Sequence, residues 1–187
     1  GQVTVGLIDS RRIEQDLPRP TWEHYVKHSS STAPAVAKSY YFHRRMWSND
    51  ADHLCLALLT LPQARAVASL IGLSGGTVIS GDRLYDLDAV RLDILTKVCP
   101  TYGEAARPLD LFTKDRPELF ALPIQTDFGS WWLVGYFNWD EEAEVRRDFG
   151  LTRLGLESTT PYLVYDFWEQ CLLPAPGGTV QLRFAPA

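Results

Sequence analysis

Apolar positions along the first hundred residues alternate between two rhythms. Val3 to Ile8 reads as a β run, Pro34 to Met46 as a helix, His53 to Leu58 as an apolar strand and Pro62 to about Leu73 as a second helix. Gly76 to Ser80 is then strand-like, and Asp86 to Val98 returns to helical spacing. Strand and helix in alternation is the grammar of a parallel sheet covered by helices. The helix after Thr60 starts with Pro62, which suits a first helical position. Its Ala64, Val67, Ala68, Leu70, Ile71 and Leu73 occupy nearly every face, so it is expected deep in the core. In the last helix Leu87, Val90, Ile94 and Val98 form one stripe, leaving Arg91 and Lys97 to face water.

After Pro100 the helical period stops. Short aromatic and β-branched runs take over at Leu119 to Gln125, Trp131 to Trp139, Tyr162 to Trp168 and Thr179 to Phe184. Pro174, Pro176, Gly177 and Gly178 make a turn before the last of them. This predicts an α/β region over residues 1–104 and an antiparallel β domain over 105–187. Three strand–helix units are too few for an eight-fold barrel, which takes about 250 residues by itself. An open three-stranded sheet would also leave bare edges, and the final strand stops close to Ala187. The chain therefore reads as part of something longer.

Charge narrows the partners. The net charge of −5 gives no basic face for phosphate backbones or anionic lipid, and no apolar run approaches the roughly 20 residues of a membrane span. Neither nucleic acid nor membrane is expected as a partner, whereas an oligomer of identical chains is compatible with the composition. The acidic excess lies after Pro100, with 7 Lys and Arg against 13 Asp and Glu. Cys55, Cys99 and Cys171 are widely spaced and read as buried thiols. The chain opens at Gly1 without a methionine, so compartment stays open.

Two segments concentrate chemistry. Arg12-Ile13-Glu14-Gln15-Asp16 follows the first strand and is closed by Pro18 and Pro20. A carboxylate just past the carboxyl end of a barrel strand is well placed for acid/base work; a solvated Arg12–Asp16 pair in a loop is the plainer alternative. Trp47-Ser48-Asn49-Asp50-Ala51-Asp52 offers two carboxylates, an amide and an indole. These are groups that bond sugar hydroxyls while a ring stacks on an apolar sugar face. A metal-binding Asp-x-Asp and a simple strand cap remain alternatives for it.

Other features are weaker. His24 and His28 stand one helical turn apart without a third ligand nearby, and Ser74-Gly75-Gly76 with Gly81 lacks the Lys-Ser/Thr of a phosphate loop. Trp131, Trp132, Tyr136, Phe137 and Trp139 alternate on a strand, so one set is expected in the core; an exposed carbohydrate platform is the alternative.

Three phrases together carry a resemblance. Arg12-Ile13-Glu14-Gln15-Asp16, Phe42-His43-Arg44-Arg45-Met46-Trp47-Ser48-Asn49-Asp50-Ala51-Asp52 and Leu73-Ser74-Gly75-Gly76 resemble, in order and spacing, signatures of the carboxyl-terminal part of the melibiase-like glycoside hydrolases, the α-galactosidases of family 36. The resemblance implies the last strand–helix units of a (β/α)8 TIM barrel followed by a β-sandwich. It implies retaining cleavage of a terminal α-linked galactose from an oligosaccharide or glycoconjugate, without metal or organic cofactor. Asp16 falls on the general acid/base, and Arg12, Trp47, Asn49, Asp50 and Asp52 on substrate-binding positions. The nucleophile falls on a strand upstream of Gly1, in the remainder of the barrel. Family members commonly carry small residues where Glu14 and Gln15 stand, and proline where Ala51 stands. A raffinose-synthase-like transglycosylase and a non-catalytic carbohydrate-binding module are the competing readings.

Overall fold

A computed structural model describes residues 4–16 and 19–186; Val3, Pro18 and Ala187, which enter the expectations above, lie outside the described residues. The chain divides into two compact units, one running to Phe137 and the other from Asn138. The first holds a parallel sheet of three strands in chain order: β1 (Ser10–Arg12), β2 (Ser48–Leu54) and β3 (Thr77–Ser80). β1 meets β2 with Arg12 beside Asp50, and β2 meets β3 with Asp50 beside Thr77 and His53 beside Ile79.

Helices α1 (Thr32–Ser39) and α2 (Leu61–Leu73) lie between the strands, and α3 (Ala89–Val98) follows β3. Thr60 opens α2 by a reciprocal cap: its hydroxyl accepts from the Gln63 amide while the Gln63 side chain accepts from the Thr60 amide. Ala64, Val67, Ala68, Leu70 and Ile71 are fully enclosed, as the all-round apolar pattern requires. Asp88 caps α3 by accepting from the Arg91 amide at 2.8 Å.

Several expectations shift. The run from Val3 to Ile8 is not a strand over its described residues. Gly6 adopts a left-handed φ of 77° and the Leu7 amide bonds Thr4 O at 3.0 Å, which turns the chain and delays β1 to Ser10. The expected strand His53 to Leu58 belongs earlier, at Ser48–Leu54, because the Leu56 and Ala57 amides donate to the Asp82 carboxylate instead of to a neighbouring strand. The helix expected to reach Met46 ends at Ser39 and tightens into a 3-10 turn over Tyr40–Phe42. The helix expected from Asp86 starts at Ala89. Arg91 does not face water: its Nε and Nη2 donate to the Leu56 and Leu59 carbonyls at 3.0 and 2.8 Å, tying α3 to the loop after β2. Of the cysteines only Cys55 is buried; Cys99 and Cys171 are exposed.

Gly76 sits against β2. A Cβ there would overlap the Asn49 carbonyl, so only glycine lets β3 enter the sheet at this point. Gly76→Ala is expected to lower stability by about 1–3 kcal/mol through forced separation of the strands, readable as a lower urea midpoint with an unchanged slope.

The first unit also carries an antiparallel sheet of β4 (Arg107–Pro108), β5 (Leu119–Thr126) and β6 (Gly129–Tyr136). Pro123 is tolerated in β5 because β4 pairs only as far as Ala121, leaving the missing amide on an unpaired side. β5 supplies the buried Leu119, Phe120, Ala121, Leu122 and Ile124. On β6 neither alternate set is core. Trp131, Trp132 and Leu133 are all exposed, so side chains on both faces of β6 are open along this stretch, and burial resumes only at Phe137 just beyond it.

The second unit pairs β7 (Val145–Gly150) with β10 (Thr179–Phe184), and β8 (Val164–Asp166) with β9 (Cys171–Leu173), both antiparallel. Phe149, Leu151 and Val180 are buried within it. β7 and β9 were not expected: charged residues fill β7, and β9 is three residues long.

Candidate active site

The end of β1 and the middle of β2 bring four charged side chains together. Arg12, the last residue of β1, directs Nε to Asp50 Oδ2 at 3.2 Å. Its Nη1 reaches Asp52 Oδ2 at 2.6 Å and Asp16 Oδ1 at 2.9 Å. The backbone adds a tie beyond the strand, since the Ile13 amide donates to Asp50 O at 3.1 Å. Asp52 is deeply buried, with 4% of its side chain exposed, whereas the Asp16 side chain is 95% exposed and reaches into solvent.

Asp52 has a left-handed φ of 62°, uncommon for a residue with a side chain. It falls where the β2–β3 register shifts, between Asp50 and His53. Two local bonds hold it there: Asp50 Oδ1 accepts from the Asp52 amide at 2.9 Å, and Asp52 Oδ1 accepts from the His53 amide at 2.8 Å. The kink turns the Asp52 carboxylate toward Arg12.

Burial alone would lower the Arg12 pKa, but the hydrogen bond and charge of Asp50, with Asp52 and Asp16, outweigh it and raise it. Three carboxylates against one guanidinium leave the cluster negative, which suits a centre where positive charge develops during reaction. Among the described residues no group of three His, Cys, Asp or Glu is arranged to hold a metal ion. Asp50 and Asp52 are instead engaged by Arg12. The His24 and His28 rings lie 6.0 Å apart.

Trp47 and Asn49 are placed differently from the sequence expectation. Trp47 is buried, with the Arg11 guanidinium 4.7 Å from its ring centroid and Phe42 at 5.6 Å, so its faces pack on protein. Asn49 is buried too: its side-chain amide donates to Ser39 O at 2.9 Å and its backbone amide donates to His43 Nδ1 at 3.1 Å. His43 in turn bonds Gly103 O through Nε2 at 3.1 Å. Trp47 and Asn49 therefore shape the loop that carries Asp50, because the chain between α1 and β2 needs internal partners for its backbone.

Glu14 was not singled out for a role by the sequence. Its Oε1 is buried without a hydrogen-bond partner. Burial first, then the charges of Asp52 and Asp50, push its carboxyl up to about 8, against the pull of Thr32 and Arg12. The one signal was that the resembled family carries small residues there. Glu14, Gln15 and Asp16 line a concavity of about 430 Å³ with His24, His28 and Ser29 to Ser31.

Because Glu14 holds its proton more tightly folded than unfolded, its stabilising contribution is full below about pH 4.5 and is lost as pH rises through about 8. At about 1.4 kcal/mol per unit, Glu14→Gln is expected to remove a decline of a few kcal/mol across that window. Urea denaturation of both proteins at pH 5 and pH 8 checks this; parallel declines in the two would refute it.

No family model matches the chain and no curated protein is detectably similar in sequence. Solved structures are similar in fold. A Bacteroides fragilis protein provisionally described as an alpha-galactosidase/melibiase superposes with a TM-score of 0.73 at 16% identity, over 95% of this chain and 40% of its own. Alpha-galactosidase I from Mortierella vinacea gives 0.61 at 12% identity, over 98% and 55%. A family 27 β-L-arabinopyranosidase from Geobacillus stearothermophilus gives 0.63 at 17%, over 96% and 45%. The chain thus spans about half the length of these proteins, and its fold is the melibiase-like one of the part it covers.

Proposed function

We propose that the chain carries the acid/base side of a retaining glycoside hydrolase site acting on terminal α-galactosides, with residues 1–104 as the last strand–helix units of a TIM barrel and 105–187 as the following β domain. The observation that carries this reading is the meeting of Asp16, Asp50 and Asp52 on the Arg12 guanidinium, between the end of β1 and the adjacent parallel β2. The motif resemblance to family 36 and the melibiase-like fold support it.

Retaining cleavage needs two carboxyl groups about 5–5.5 Å apart, one attacking the anomeric carbon and one protonating the leaving oxygen. Asp16, projecting into solvent beside Arg12, is the proton donor and later the base that activates water. Asp50, oriented by Arg12, bonds a hydroxyl of the sugar, while the buried Asp52 holds Arg12 from behind, and the charge of both stabilises the oxocarbenium-like state. The nucleophile is assigned to the remainder of the barrel, the partner this reading requires, and to no residue of this chain.

The Geobacillus neighbour favours a second substrate, because β-L-arabinopyranose presents the galactose ring hydroxyls without the exocyclic carbon. The full-length protein that contains this sequence is to be assayed on aryl α-galactoside and aryl β-L-arabinopyranoside. Turnover with the galactoside preferred is the expected result. A reversed preference shifts the substrate to the pentoside, and no turnover of either overturns the reading.

A further inference from the structure

We infer that the concavity between the loop before β2 and the segment after α3 is a binding site for a dianionic phosphoryl group, free or carried as a monoester by a small molecule. It shares no lining residue with the Arg12 cluster and stands without the hydrolase reading. Arg44 and Arg45 line it from the loop, Glu104 and Arg107 from the segment. Three guanidinium charges against one carboxylate leave two positive charges there, on a chain whose net charge is −5. No general basic excess accounts for that grouping. The volume of about 500 Å³ lies within the roughly 300–1,000 Å³ of small-ligand sites.

The three guanidinium groups are unequally occupied. Arg44 pairs with Glu104. Arg45 lies over the Tyr41 ring, 4.2 Å from its centroid, and its Nη1 reaches the Tyr41 carbonyl at 3.4 Å, so no carboxylate balances its charge. The Arg107 guanidinium has no partner among the described residues. Two planar forks therefore remain for a ligand, and two forks match both the several oxygens and the double charge of a phosphoryl group. A monocarboxylate satisfies only one of them.

The walls are fixed by the protein itself. His43 Nδ1 accepts from the Asn49 amide at 3.1 Å, so Nε2 carries the hydrogen and donates to Gly103 O at 3.1 Å. This buried ring ties the loop of Arg44 to the turn before Glu104. The Ala106 amide donates to Leu73 O at 2.8 Å, which anchors the segment carrying Glu104 and Arg107 to the end of α2. Arg44 itself has a left-handed φ of 58°, closed by its amide donating to Trp47 O at 2.8 Å. Strain of this kind gathers at ligand clamps.

Calorimetric titration of the full-length protein with inorganic phosphate, glycerol 3-phosphate and acetate, at one ionic strength set with sodium chloride, tests this. Saturable binding of a phosphoryl ligand is expected, about tenfold or more tighter than acetate. The tighter of the two phosphoryl ligands names the source, free phosphate or an ester. Binding no tighter than that of acetate, or none above the chloride background, overturns the inference, because a diffuse counterion cloud answers only to charge and salt. The double variant Arg45→Gln with Arg107→Gln, at exposed positions, is expected to weaken phosphoryl binding by about tenfold or more. Undiminished binding in that variant places the anion elsewhere and overturns the assignment. Should the double variant melt well below the wild type, Arg107→Gln alone carries the same test, with a loss of several-fold expected and an unchanged affinity refuting the site.

Discussion

Replacing Asp16 by Asn in the full-length protein is expected to slow cleavage of an unactivated α-galactoside by about 10²- to 10⁴-fold, the usual worth of a positioned acid. An aryl galactoside with a good leaving group should lose far less in the first step, since its oxygen departs without a proton. Its second step should suffer, because on the proposed reading water then lacks its base. Azide, which needs no base, should restore part of that turnover and yield a galactosyl azide. The exposed position of Asp16 supports clean interpretation: with its side chain 95% in solvent, Asn there disturbs little packing. Equal losses on both substrates with no azide rescue would remove Asp16 from the mechanism.

Arg12→Met is expected to cost about 3–5 kcal/mol of stability at neutral pH, the usual penalty for leaving a buried charge without its partner. The reason lies in the geometry: one guanidinium serves three carboxylates, and the Asp52 side chain is almost wholly buried beside it. The Nε–Asp50 contact and the two contacts through Nη1 share a rigid planar fork that lysine cannot reproduce, so Arg12→Lys should recover only part of the loss. Denaturant melts at pH 7 and at acidic pH separate charge from packing. The Met deficit should shrink where the carboxyl groups are protonated, and a deficit of similar size at both would point to packing of the arginine stem.

How far these features were legible depends on how strongly local chemistry agreed with the fold. α2 was read almost to the residue because Thr60, Pro62 and an apolar surface on every side all state the same thing. β5 and β10 announced themselves by β-branched and aromatic runs between turns. β1 and β2 did not. Both are polar where they carry the candidate site, and apolar residues beside them, Val5 and Leu56 among them, drew the expected strands away from Arg12 and Asp50. Asp16 and Asp50 were found through motif spacing, and Arg12 through its place in the same motif. Trp47 and Asn49 came with that motif too, but whether such residues touch a ligand or support the loop is a matter of three-dimensional surroundings. Glu14 was passed over because a carboxylate in a polar segment ordinarily stays solvated, and only the enclosure around it shows otherwise.

The left-handed backbone of Asp52 restricts the repertoire open to evolution and to engineering at this position. Asn and Gly tolerate that conformation; branched and bulky residues do not. Asn keeps the shape and removes the charge, and Gly keeps the backbone and removes the contact altogether. Substitution at this position therefore has only two easy exits. Asp50 carries no such backbone filter, but its carboxylate accepts from the Asp52 amide, so a change of side chain there also loosens the turn that holds Asp52.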